Sequence, residues 1–216
     1  METLQNIAKA IESGDAPQVR SFTAQALEEG LSAEQILNDG LVAGMAVVGK
    51  YFKAGEMYVP EVLTAARAMK AGMELIQPHL AKGAKTSKGK VVLGTVKGDI
   101  HDIGKNIVGM MLQGAGYEVI DAGIDVPKEK FAEFVERERP HVVGISALLT
   151  TTMGNMRQVI EELEKRNLRT TVKVIIGGAP VTRQFSDEIR ADGSASDAAS
   201  AVDLVNQLLG EDAGRR

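Results

Sequence analysis

The chain of 216 residues is 44% hydrophobic and 25% charged, with a formal net charge of −4, no cysteine and three histidines; this is the composition of one or two ordinary globular domains. The acidic balance speaks against a nucleic-acid binder, which carries a basic stripe, and no apolar run reaches the roughly 18 residues of a membrane span. Zero cysteine excludes disulfides, thiolate zinc sites and cysteine nucleophiles. The polar amphipathic N-terminus lacks the order of a signal peptide, so a cytoplasmic address is expected.

Leu4, Ile7, Ala8 and Ile11 recur at helical spacing until SGDAP breaks the pattern. A second helix is expected from about Pro17 to Gly30, with Val19, Phe22 and Leu27 inward. Ser32 with Gln35 is a capping-box pattern, opening a third helix that carries Ile36, Leu37, Leu41, Met45 and Val48. Pro60 suits the first turn of a fourth, striped by Val62, Ala66, Met69, Met73 and Ile76. Residues 1–80 therefore predict a small four-helix bundle. Residues 81–90, AKGAKTSKGK, have no apolar periodicity and read as a solvated linker.

Over 91–216 the pattern changes. VVLGT (91–95), YEVIDAG (117–123), VVGIS (142–146) and VKVIIGG (172–178) are short β-rich runs, separated by helical patterns at 103–114, 128–139, 152–167 and 181–190. With a fifth strand near 191–194 and a helix over about 196–209, the alternation predicts a flavodoxin-like (Rossmann-like), doubly wound, five-stranded parallel sheet.

Open α/β sheets bind ligands beyond the carboxyl ends of their strands. Strand 1 is followed by Gly98-Asp99-Ile100-His101-Asp102-Ile103-Gly104, strand 3 by Ser146-Ala147-Leu148, and strand 4 by Gly177-Gly178. Neither phosphate-binding glycine pattern is present, and Asp99 and Asp102 would repel a pyrophosphate. Ser146 lacks the G-x-S-x-G elbow of a nucleophile. A metal-ligating His101 fits better, with Asp99 near enough to accept its second ring N–H. One imidazole cannot hold a bare ion, so the metal must arrive inside a macrocycle, with small residues after strands 3 and 4 leaving a slot for an appendage. Taken alone, His101 would read as a loop histidine beside a capping aspartate; His79 and His141 read as structural.

Asp99-x-His101-x-x-Gly104, then Ser146-x-Leu148, then Gly177-Gly178, resembles the signature of cobalamin-binding proteins of the methionine synthase class. The helical half resembles the cap domain of that class. The whole is most similar to stand-alone corrinoid proteins, which shuttle methyl groups in methanol, methylamine, glycine betaine and aryl methyl ether systems. The resemblance implies that His101 is the lower axial ligand of cobalt, in the loop Gly98 to Gly104 with Ile100 and Ile103. Asp99 would tune it, and Thr152 would stand where methionine synthase extends the relay with a serine. Ser146, Leu148 and Thr150 would line the slot for the nucleotide tail, Gly177 and Gly178 would let it pass close to the backbone, and Phe52 and Val59 would cover the upper corrin face. Arg190 and Ser194 depart from the glycine and tyrosine common in this group.

The function implied is a carrier rather than an independent enzyme. It would hold cobalamin or a related corrinoid and pass a methyl group from a substrate-specific methyltransferase to a second one serving tetrahydrofolate or a thiol, with a reductive activator as a further partner. Loss of the His101 ligand on reduction, with proton uptake, is expected to couple redox state to pH. A cobalamin-binding sensor and a radical isomerase subunit are the alternatives, and a flavodoxin-like domain without corrinoid is the plainest one.

Overall fold

The computed structural model describes residues 2–79 and 87–212, so residues 81–86 of the expected linker lie outside the described residues. The chain divides into two compact units, residues 1–88 with 110–116, and residues 89–109 with 117–216.

In the first unit, α1 (Glu2–Glu12) turns at Gly14 into α2 (Ala16–Glu28), whose N-cap Asp15 accepts the Gln18 N–H at 3.0 Å. The Ser32/Gln35 capping box forms as expected and opens α3 (Ala33–Gln35). The helix then unwinds into a seven-residue π-helical stretch, Ile36–Val42, before resuming as α4 (Ala43–Ala54). Two glycines sit where this helix meets α1: a Cβ on Gly40 would lie 3.2 Å from Ile7 Cγ2, and one on Gly44 would lie 2.8 Å from the Ala8 carbonyl oxygen. Gly55, left-handed at φ +74°, ends α4, and α5 (Val59–Ile76) carries Pro60 in its first turn. Helix α2 packs on α5, and α1 on α2 and α4.

The predicted inward residues mostly hold: Ile7, Ile11, Val19, Ile36, Leu41, Val48, Val62 and Ile76 are fully buried. Phe22, Leu27, Ala66 and Met73 are only half-buried, and Thr23, Ala26, Ala65 and Ala68 take the tighter positions instead. Small side chains win there because the helices approach closely. A Cβ on Gly72 would fall 2.6 Å from Leu41 and 2.9 Å from Val19.

The second unit is a parallel sheet in the order β2-β1-β3-β4-β5. Its strands are β1 (Lys90–Val96), β2 (Glu118–Val126), β3 (Val142–Ser146), β4 (Lys173–Gly177) and β5 (Gly193–Ala195). The helices between them are α6 (Ile103–Gly114), α7 (Lys128–Glu138), α8 (Met153–Lys165) and α9 (Arg183–Glu188), with α10 (Ala198–Asp212) last. Strands β1, β3 and β4 are buried almost throughout, as a sheet covered on both faces requires. Alternate residues Val92, Val96, Val143, Ile145, Val174 and Ile176 pack with Phe131, Val135, Met156, Ile160 and Leu163 of α7 and α8.

The edge strand β2 departs from the expected limits, running to Val126 rather than Gly123. Leu93 pairs with Asp121, but Gly94 pairs with Gly123 and Val96 with Val126, so β2 carries two extra residues against β1. The strand order reverses direction between β1 and β3, which makes the carboxyl ends of these two strands the topological switch point. Among the described residues, no helix is long and apolar enough to cross a membrane.

One flaw in the helical core is open to repair. The Thr23 hydroxyl is buried with no hydrogen-bond partner, and a buried unsatisfied polar group costs about 1–3 kcal/mol. Thr23→Val keeps the side chain's shape and is expected to stabilise the helical unit by about 1 kcal/mol, read as a higher urea midpoint; a lower midpoint would show the hydroxyl to be satisfied in solution.

Candidate functional site

Beyond β1 the chain turns at Gly98, which takes φ +81°, and the Asp99 N–H closes the turn onto the Val96 carbonyl at 3.1 Å. This brings Asp99 inward, and its side chain is wholly buried. Oδ1 accepts the His101 backbone N–H at 3.1 Å and lies 2.7 Å from His101 Nδ1. Oδ2 accepts the Leu148 N–H at 2.7 Å, the Leu149 N–H at 3.3 Å and the Thr152 hydroxyl at 2.9 Å. Leu148 and Leu149 follow β3, and Thr152 directly precedes α8. One carboxylate thus ties the loops after β1 and β3 together at the switch point.

Burial pushes the Asp99 carboxyl upward, but the donors from Leu148, His101 and Thr152 outweigh it and hold the group well below the usual carboxylate range. An ionised carboxylate only accepts, so the hydrogen of a neutral imidazole sits on Nδ1 and the lone pair on Nε2. The ring is 46% exposed, so that lone pair has room for a ligand. The Thr95 hydroxyl donates to the His101 carbonyl at 2.9 Å and fixes the residue's main chain as well.

The surroundings are apolar where water would be expected. Ile100 and Ile103 are 70% and 75% exposed, and Leu148, Leu149 and Ile124 over 40%. Ile103 opens α6 and the other four sit on loops or a strand end, all at the same sheet edge as His101. The row behind them is set by register: Thr95 pairs with Ser146, Ser146 with Gly177, and Gly177 with Ala195. Gly178, at φ +134°, must be glycine, because a Cβ there would stand 1.9 Å from the Ala147 carbonyl oxygen. Thr150 is exposed beside Leu149. The structure therefore brings together Gly98, Asp99, His101, Leu148 and Thr152 by direct contact, Ser146 and Gly177 by strand pairing, and Gly178 by its close approach to Ala147.

Asp102 has another role. It accepts the Asn106 side chain at 3.1 Å and its carbonyl takes the Asn106 N–H at 2.8 Å, so it serves the start of α6. Gly104 has open space where a Cβ would be. Phe52 on the last turn of α4 and Val59 at the start of α5 are half-buried residues of the helical unit. His141 is structural as expected, its Nδ1 accepting the Lys90 N–H at 3.0 Å. Arg190 has φ +59°, the left-handed conformation that favours glycine, and its carbonyl is held by Arg169 at 2.8 Å. Ser194 lies in β5, paired with Ile176.

Three contributors were not anticipated. Thr95 is the first. Asp125 is the second: its Oδ1 accepts the Gly98 N–H at 2.6 Å, and its own N–H reaches the Asp99 carbonyl at 3.0 Å. The third is buried Lys105, which donates to Asp121 at 2.6 Å and Asn106 at 2.8 Å. The available signal for Asp125 was the GIDVP stretch (123–127), where an aspartate stands two residues after a glycine, just past the expected end of strand 2.

The donor set fits a metal that brings most of its own ligands. Among the described residues no group of three or more His, Cys, Asp or Glu could hold an ion. What the edge offers is one oriented imidazole nitrogen in an apolar rim. That suits a metallated macrocycle.

The buried carboxylate has a pH signature. Its folded-state titration lies below that of the unfolded chain, so its stabilisation is complete above about pH 4 and is lost as pH falls below that. Asp99→Asn is expected to cost about 2 kcal/mol at neutral pH and to flatten the acid loss of stability. Parallel acid curves for the two proteins would contradict this.

Comparison with known proteins agrees with the geometry. The B12 binding domain family matches residues 89–203, and a second B12 binding domain family matches residues 3–77. A corrinoid protein of Desulfitobacterium hafniense is 45% identical over 98% of this chain and 99% of its own. Dimethylamine corrinoid protein 1 of Methanosarcina mazei is 43% identical over 96% of each chain. In the methanol:cobalamin methyltransferase complex of Methanosarcina barkeri, a chain 33% identical matches with a TM-score of 0.87, covering 97% of this chain and 80% of that one. Matched by both family models and alike to corrinoid proteins over nearly its whole length, the chain belongs to the B12-binding corrinoid protein family.

Proposed function

We propose that the chain is a methyl carrier. It holds a corrinoid through His101 Nε2 and presents it in turn to a substrate-specific methyltransferase and to a second methyltransferase acting on tetrahydrofolate or a thiol. The observation that carries this is the Asp99–His101 pair at 2.7 Å, with Nε2 free in an apolar rim. The dimethylamine corrinoid protein and the methanol:cobalamin methyltransferase complex among its relatives favour a carrier over a sensor or an isomerase subunit.

A bound corrinoid supplies cobalt-centred methyl transfer; the chain supplies position and proton control. Asp99 keeps the His101 lone pair on Nε2 while the ring ligates. Thr152 carries one hydroxyl hydrogen within 2.9 Å of both Asp99 Oδ2 and the Leu149 carbonyl. It can donate to either acceptor in turn. We assign Ser146, Leu148, Thr150, Gly177 and Gly178 to the appendage of the macrocycle, and Ile100 and Ile103 to its apolar underside. Phe52 and Val59, beside the exposed turn at Gly55 and Tyr58, are assigned to its other face.

The test is an absorption spectrum after loading with hydroxocobalamin and desalting. The native chain is expected to retain colour. His101→Ala is expected to show a changed spectrum and weaker retention, while loss of all colour from the native chain would overturn the carrier reading.

A further inference from the structure

The buried aspartate that orients His101 is itself held by a second aspartate on the neighbouring strand. Asp125 sits in the stretch of β2 where Ile124 and Asp125 together oppose the single residue Thr95, between the Gly94–Gly123 and Val96–Val126 pairs. Its backbone is left-handed, φ +52°, a conformation that asparagine and aspartate accept more readily than other side chains. An outlier of this kind persists only when its surroundings hold it, and bulges commonly re-aim a side chain beside a site.

Here the side chain is re-aimed onto the loop. Asp125 Oδ1 accepts the Gly98 N–H at 2.6 Å, and the Asp125 N–H donates to the Asp99 carbonyl at 3.0 Å. These bonds grip the main chain on both sides of the Gly98–Asp99 peptide. Gly98, at φ +81°, spends its N–H on Asp125, so that without the carboxylate this turn has one fewer anchor. The Asp99 carboxylate must reach donors on Leu148, Leu149 and Thr152 while meeting His101 at 2.7 Å. A shift of its main chain is passed directly to the imidazole.

We infer that Asp125 is a positioning residue of the cofactor site: through Gly98 and Asp99 it sets where His101 Nε2 points. This rests on the reading of His101 as the axial ligand. Asp125→Asn retains an acceptor oxygen and tolerates left-handed backbone. Asp125→Gly tolerates that backbone but has no acceptor, so the pair separates the hydrogen bond from the bulge.

The experiment compares native, D125N, D125G and H101A full-length protein by hydroxocobalamin titration and absorption spectrum, with amide exchange at Gly98 measured without corrinoid. D125N is expected to stay within about twofold of native affinity, and D125G to lose about tenfold, in the range seen when a ligand's hydrogen-bonded partner is removed. The D125G spectrum is expected to move toward that of H101A, with faster exchange at Gly98. Native affinity and spectrum in D125G would overturn the inference, as would D125N falling as far as D125G. If instead H101A matches native protein, the axial-ligand reading fails on its own, whatever the Gly98 amide reports.

Discussion

A carboxylate taken out of water must find its hydrogen-bond donors inside the protein, and the Asp99 side chain is wholly out of water. The effective penalty for burying an ion is several kcal/mol, and here it is offset by donors on Leu148, Leu149, Thr152 and His101. Those donors belong to two loops that lie about 50 residues apart in sequence and meet only because β1 and β3 are hydrogen-bonded neighbours. The same bonds that stabilise the switch point therefore orient the imidazole. Folding of this edge and preparation of the site are one interaction.

That interaction depends on a sheet built to tolerances of a few tenths of an ångström. Gly178 must lack a Cβ to lie against the Ala147 carbonyl, which places the loops after β3 and β4 side by side. Gly94 must lack one because Phe131 Cζ would be 2.7 Å away, and its place is also where β2 begins to gain residues on β1. The extra length of β2 carries it far enough for Asp125 to meet Gly98. Lys105 lies one turn into α6 and bonds Asp121 on the same strand, whose carboxyl is raised by burial but lowered more by Lys105 and the Gly123 N–H. The loop is thus braced from β2 at two points, Asp121 and Asp125.

Much of this was legible in the sequence, and the exceptions have physical causes. Strands β1, β3 and β4 announce themselves because a doubly covered sheet needs continuous apolar runs, and the Ser32/Gln35 capping box names its own helix start. Asp99, His101 and Thr152 could be picked out because their spacing resembles a known signature, and the structure brings the three side chains into hydrogen-bond contact. Bulged β2 could not be read past Gly123, since an inserted residue breaks the period of two on which strand reading relies; Asp125 was hidden with it. The π-helical turn at Ile36–Val42 left no trace either, because the apolar residues Ile36, Leu37 and Leu41 are buried under either winding. Phe22 and Met73 were expected inside on hydrophobicity, but close helix contact selects for small residues before large ones.

The site's economy of donors also bears on what it can discriminate. Ligand sets of three or four side chains select a metal by geometry and softness, and a single imidazole cannot. On the proposed reading, selection would come from the rest of the molecule that carries the metal, met by Ile100 and Ile103 and by Ser146, Gly177 and Gly178. Asp99, in contact with His101 at 2.7 Å, would instead set how strongly the nitrogen donates. Recognition and tuning are thus assigned to different residues, and Arg190, whose left-handed turn precedes β5 at the opposite edge of the sheet from Gly177 and Gly178, belongs to neither.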